Sequence, residues 1–142
     1  TSSDGATWTS RTSGIGGLMG ITYGNSIFVT VGDGGTIRTS SDGTTWTSRT
    51  SGTSNNLRGI FFGNSIFVAV GASGTILTSS DGTTWTSRTS GTSNQLNEVT
   101  YGNNSFVTVG NSGTILNSSD GTTWTSRTSG TSNNLYGVAY KE

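Results

Sequence analysis

The sequence predicts an all-β chain, and three observations carry that prediction. The first is a period. Asp-Gly recurs at Asp4, Asp42, Asp81 and Asp120 with spacings of 38, 39 and 39 residues, and Trp8, Trp46, Trp85 and Trp124 keep the same interval. The second is the content of each period. Thr, Val and Ile dominate its strand-like runs, as a pleated surface favours, and no run shows helical spacing. The third is punctuation, because turn residues fall about every ten positions. Four short strands in 39 residues is the layout of a β-propeller blade, a four-stranded antiparallel sheet. A β-solenoid is the competing architecture. Its turns repeat at shorter periods and do not require a Trp in each.

The copies are close to one another. Residues 50–88 and 89–127 are identical at 28 of 39 positions. The first copy is one residue shorter, with Ile15-Gly16-Gly17 where the second has Thr53-Ser54-Asn55-Asn56. The chain thus reads as one array of repeats 12–49, 50–88 and 89–127, with partial repeats 1–11 and 128–142. Within it, 18–49, 57–88 and 96–127 are whole blades, preceded by a strand four and followed by a strand one over 135–140.

The second copy justifies each element in order. Strand one is 57–62, and Gly63-Asn64 is its turn. Strand two is 65–70, closed by Gly71-Ala72-Ser73-Gly74. Strand three is 75–79, and the next turn centres on Asp81-Gly82. Strand four is 84–88, where Trp85 alternates with small hydroxyl residues at the strand period of two. Residues 90–94 link to the next unit.

Composition tests this reading. Leu, Ile, Val and Phe number only 27 of 142 residues, a level that warns of disorder when net charge is high. Here seven basic residues balance seven acidic ones, and four Trp argue against a merely solvated chain. The Asp-Gly turn supplies the missing stabilisation. The Asp carboxylate can accept N–H bonds from its own turn, and Gly allows positive φ. The Trp that follows would sit in strand four and pack between blades. Burying it would stabilise the fold by up to about 4–6 kcal/mol.

The turn Ser79-Ser80-Asp81-Gly82-Thr83-Thr84-Trp85 and its copies resemble the Asp-box, or BNR repeat, of sialidases and of many non-catalytic bacterial propellers. Phe67-Val68-Ala69-Val70-Gly71, Gly74-Thr75-Ile76-Leu77 and the turn together resemble the Ycf48-like and YVTN-type branch of such propellers. The sialidase form is Ser-x-Asp-x-Gly-x-Thr-Trp, whereas Gly directly follows Asp here, so the turn is one residue shorter. The resemblance implies that Asp4, Asp42, Asp81 and Asp120, with Trp8, Trp46, Trp85 and Trp124, are structural and not catalytic.

Several function classes fall away. The chain has no His and no Cys, so the usual zinc, haem, iron–sulfur and thiol chemistries lack ligands and no metal or cofactor is expected. Charged residues make up 10%, which does not suit a nucleic-acid binder. No apolar run approaches a membrane span. The resemblance implies that a sialidase would need a cluster of unique arginines and a Tyr–Glu pair. Here Arg11, Arg49, Arg88 and Arg127 are one repeated position, expected to be solvated or to pair with neighbouring turns. Only Glu98 and Glu142 are glutamates. That is too little for paired-carboxylate hydrolysis, and an enzyme is not expected.

A binding module is the first functional expectation. The copies differ after the strand-one Leu, at Met19, Arg58, Asn97 and Tyr136, and after strand two, at Asp33, Ala72 and Asn111. A meander places both sets, and the Asn-rich linker, at one end of the blades. That end is expected to hold a shallow polar site for a glycan or a protein partner, with Tyr136 stacking and Asn56, Asn97 and Asn134 as donors and acceptors. The alternative is a structural repeat scaffold, natural or designed, whose differences are drift in turns. The sequence lacks a signal peptide and an initiator Met, so a processed form or a fragment is expected. Three blades do not close a ring comfortably. Either a longer propeller or a homo-oligomer would therefore complete it. Repeats so rich in Ser, Thr, Gly and Asn resemble those of bacterial cell-surface, secreted or phage-associated propellers.

Overall fold

The structure is a computed structural model that describes residues 2, 4–10 and 17–141. Twelve strands form three four-stranded antiparallel sheets among them, each a simple meander. Blade 1 holds β1 (Leu18–Gly24), β2 (Ile27–Gly32), β3 (Ile37–Ser40) and β4 (Thr47–Arg49). Blade 2 holds β5 (Leu57–Gly63), β6 (Ile66–Gly71), β7 (Ile76–Ser79) and β8 (Thr86–Arg88). Blade 3 holds β9 (Leu96–Gly102), β10 (Ser105–Gly110), β11 (Ile115–Ser118) and β12 (Thr125–Arg127). These are stacked blades of a partial β-propeller.

The core lies between blades. Val29, Val31 and Ile37 of blade 1 meet Leu57, Ile60, Phe67, Ala69 and Leu77 of blade 2. Val68, Val70 and Ile76 of blade 2 meet Leu96, Val99, Phe106 and Leu116 of blade 3. Alternation at period two gives each sheet one apolar face in each direction, so a low aliphatic count suffices. The repeated Arg of strand four reaches across to strand three, not to a turn. Arg49 and Arg88 donate from Nε to Thr39 and Thr78 hydroxyls, and Arg127 donates to Asn117 Oδ1.

Three expectations shift. The first hairpin turn lies one residue later than predicted. Gly63 pairs with Ile66, so the loop is Asn64-Ser65, both at positive φ, as are Asn25-Ser26 and Asn103-Asn104. This is the geometry of a two-residue primed turn. Gly63 is the last residue of its strand, and it is glycine because the Tyr101 ring of the next blade lies where a Cβ would be. The Trp residues also differ from expectation. Trp85 and Trp124 precede their strands and are half-buried, and Trp8 is 72% exposed. The Trp85 ring folds back over its own turn, donating from Nε1 to the Gly82 carbonyl at 3.1 Å. It still joins the blade 1–blade 2 cluster, its centroid 6.4 Å from that of Phe67.

The ends differ too. Residues 135–140 form no strand, although Leu135 donates its N–H to the Gly110 carbonyl at 3.0 Å and Tyr140 covers Gly102. A strand one without a strand two beside it has no ladder to join. Residues 7–10 likewise form no strand, and Arg11 lies outside the described residues.

Candidate binding rim

Two ends of the blades carry the polar chemistry. The lower end bears the Asp-Gly turns. Ser40 Oγ donates to Asp42 Oδ1 and accepts the Gly43 N–H at 2.8 Å. Asp42 Oδ1 also accepts the N–H groups of Thr44 and Thr45 at 2.7 and 2.8 Å. The same pattern recurs around Asp4, Asp81 and Asp120. These bonds favour the ionised carboxyl. The N–H groups of Thr7 and Ala6 hold Asp4 down to about 2. The Thr44 hydroxyl, then the Thr45 and Thr44 N–H groups, push Asp42 lower still, and the Thr83 hydroxyl leads the same effect at Asp81. The Thr123 N–H leads it at Asp120. In each turn Oδ1 of the carboxylate is held by the turn's own N–H groups.

The upper end is built by strand starts, linkers and the short 3-10 turns Asp33–Gly35, Ala72–Gly74 and Asn111–Gly113. Its register explains the variable positions. Leu18 pairs with Gly32 while Gly20 pairs with Val31, which leaves Met19 as the extra residue of a β-bulge. Arg58 is the extra residue in blade 2 and Asn97 in blade 3. A bulge frees its residue from the ladder and re-aims the side chain. Beyond it the pairing resumes, as Asp33, Ala72 and Asn111 donate their N–H groups to Gly17, Asn56 and Gln95 carbonyls at 2.9, 2.8 and 2.9 Å.

The side chains on this rim differ in availability. Met19 is 47% exposed and Tyr136 71%. Asp33 is exposed and Arg58 half-buried. Arg58 Nε is buried without a hydrogen-bond partner. Asn97 is otherwise engaged. Its Nδ2 donates to the Leu135 carbonyl at 2.7 Å and to Asn111 Oδ1 at 3.1 Å, and its Oδ1 accepts Gln95 Nε2 at 2.7 Å. Asn97 and Asn111 therefore brace the rim. Asn56 and Asn134, expected as donors and acceptors for a ligand, use their amide oxygens to accept the Gly34 and Ser112 N–H groups at 2.9 and 3.0 Å. The Tyr136 hydroxyl lies 3.4 Å from Asn134 Nδ2, and its ring stays open.

Glu98 was not foreseen as part of this region. It stands where blades 1 and 2 have Gly20 and Gly59, and burial raises its carboxyl above the ordinary range. Glycine fits those two positions because the next blade's backbone approaches closely, with Arg58 O 3.2 Å from a Cβ on Gly20. An open groove of about 610 Å³ runs beside 34–38 and 48–54. An equivalent groove recurs on blade 2, lined by Ser73, Gly74, Ser87 and Arg88 among others. The two grooves share a Ser, Thr and Gly lining but differ at one repeat position, Arg38 in the first and Leu77 in the second, and the bulge residues line neither.

No family model and no curated protein matches the chain. Solved structures do. One described as YCF48 bound to D1 peptide matches with a TM-score of 0.64 at 18% identity, over 78% of this chain and 39% of that one. YCF48 from Cyanidioschyzon merolae matches with a TM-score of 0.64 at 22% identity, over 77% and 36%. The chain thus spans less than two fifths of the length of either matched chain, and the likeness is one of β-propeller fold.

Proposed function

We propose that the chain is a non-catalytic interaction module whose upper rim binds an extended segment of a protein partner. The observation that carries this reading is the coincidence of variation with the bulges. Met19, Arg58 and Asn97, which differ in all three blades, occupy the one strand position freed from the ladder, where a side chain can change without disturbing the sheet. Tyr136 is their counterpart in the next repeat. Met19 on blade 1 and Tyr136 beyond blade 3 are exposed, adaptable apolar side chains. Arg58 between them favours a segment bearing a carboxylate. The peptide bound to the similar YCF48 structure supports a protein ligand over a glycan.

Selection of peptides from a random display library against the immobilised chain tests this. Enriched peptides carrying an acidic residue should lose at least about tenfold in affinity for a Met19→Ser, Arg58→Ser, Tyr136→Ser variant that keeps the native circular dichroism. Equal binding to the variant, or hits on a glycan array with no enriched peptide, would overturn the proposal.

A further inference from the structure

A polar cavity lies at the lower end of the boundary between blades 2 and 3. Packing brings its two walls together. The Ile66 side chain of blade 2 lies where a Cβ on Gly121 would be, so the preceding residue, Asp120, stands beside the outer strands of blade 2. The cavity holds about 240 Å³ and is lined by Thr78, Thr84, Thr86 and Arg88 of blade 2 and by Asp120 and Thr122 of blade 3. Pockets for drug-sized ligands hold roughly 300–1,000 Å³, so this one suits a smaller molecule.

Its two charged side chains are only partly engaged. Arg88 commits Nε to the Thr78 hydroxyl at 2.8 Å. Asp120 Oδ1 accepts the Ser118 hydroxyl and the Thr122 and Thr123 N–H groups at 2.9, 2.8 and 2.9 Å. Among the described residues nothing accepts from the Arg88 Nη groups, nothing donates to Asp120 Oδ2, and no ion pair joins the two side chains. The boundary between blades 1 and 2 repeats the same residue types, with Arg49 and Asp81 in these places. There the Thr84 hydroxyl lies 3.4 Å from Asp81 Oδ2, and Asn25 Nδ2 ties the turn to blade 1 through the Ser80 carbonyl at 2.7 Å. Among the described residues neither bond has a counterpart at the Asp120 turn, which leaves its carboxylate the more available.

The geometry points to a binding site for a small zwitterion, a free α-amino acid whose carboxylate pairs with the Arg88 guanidinium and whose ammonium pairs with Asp120 Oδ2. A guanidinium presents N–H donors in the spacing of a carboxylate's two oxygens. A carboxylate oxygen with open lone pairs accepts from an ammonium. The hydroxyls of Thr84, Thr86 and Thr122 both donate and accept, so they can serve either end of the ligand. An anion alone meets the Asp120 carboxylate, and a cation alone meets Arg88. Neither half therefore binds as well as the whole. The site is separate from the upper rim, and the peptide reading does not depend on it.

Titration of the isotope-labelled chain with glycine, followed by amide chemical shifts at fixed pH and ionic strength, tests the proposal. Saturable shifts are expected at Thr86, Thr122 and Thr123 and at the Arg88 side-chain Nε–H. Acetate and methylamine, which each carry one of the two charges, should bind at least about tenfold more weakly. Asp120→Asn keeps Oδ1 for the turn and removes the charged Oδ2, so it should weaken glycine binding by about tenfold or more in a folded chain. Arg88→Gln should do the same, and thermal melting shows whether each variant folds. Where Arg88→Gln does not fold, Asp120→Asn alone decides. The absence of saturable shifts would overturn the proposal. So would acetate or methylamine binding as tightly as glycine, or unchanged glycine affinity in folded Asp120→Asn.

Discussion

The amide oxygen of Asn56 accepts the backbone N–H of Gly34 at 2.9 Å, so the linker ahead of blade 2 clasps the upper turn of blade 1. Asn134 does the same for Ser112 of blade 3 at 3.0 Å. At the corresponding place between blades 2 and 3 stands Gln95, whose amide turns to Asn97 instead. A side chain that bridges two blades acts on their stacking as well as on its own loop. Asn56→Ala should cost about 1 kcal/mol in urea denaturation. Gln95→Asn should restore the missing clasp to the Ser73 N–H and stabilise the chain by up to about 1 kcal/mol.

The Trp residues should separate by packing. Trp85→Ala removes a half-buried ring from the blade 1–blade 2 cluster together with its bond to Gly82. The expected loss is about 3 kcal/mol, the low end for truncating a large aromatic. Trp8 makes the same Nε1 bond, to Gly5 at 3.1 Å, but is 72% exposed. Trp8→Ala should change stability by less than about 0.5 kcal/mol.

Gly71 tests close approach. A Cβ there would run into the backbone carbonyl of Asn56, which is held by the Ala72 N–H at 2.8 Å. Backbone so placed cannot yield as a side-chain tip can. Gly71→Ala should destabilise by about 3 kcal/mol, although the Gly71 φ of −171° is open to any residue.

Acid should loosen the lower turns in a defined direction. The carboxyls of the Asp-Gly turns are depressed in the folded chain, so their bonds favour folding above the ordinary carboxylate value. That contribution is lost as pH falls through the folded value. For Asp4 the window runs from 3.8 to about 2, and for Asp42 and Asp81 it extends lower. Urea midpoints measured near neutrality and again within that window should fall with acidification. Asp81→Ala should be less stable near neutrality and should lose less on acidification than the native chain.

Much of this was legible in the sequence, for physical reasons. The Asp-Gly turn forms the same bonds at Asp4, with no sheet behind it, as at Asp42 within one, so its recurrence marks a local structure directly. What the sequence hid depends on neighbours in space. Gly63 looked like a turn residue, but Tyr101 of the next blade explains it. Asn56 looked free to bind a ligand, but Gly34 takes its oxygen. The bulge was invisible because one extra residue shifts register without any distinctive residue type. Only the variation at Met19, Arg58 and Asn97 hinted at it.

Amide chemical-shift mapping with an enriched peptide tests the central claim most directly. Binding at the upper rim should shift Met19, Arg58, Tyr136 and the Asp33–Gly35 and Ala72–Gly74 turns, and leave the Asp-Gly turns at Asp42, Asp81 and Asp120 unmoved. Shifts confined to the Asp-Gly turns, or to the grooves beside strand four, would contradict it.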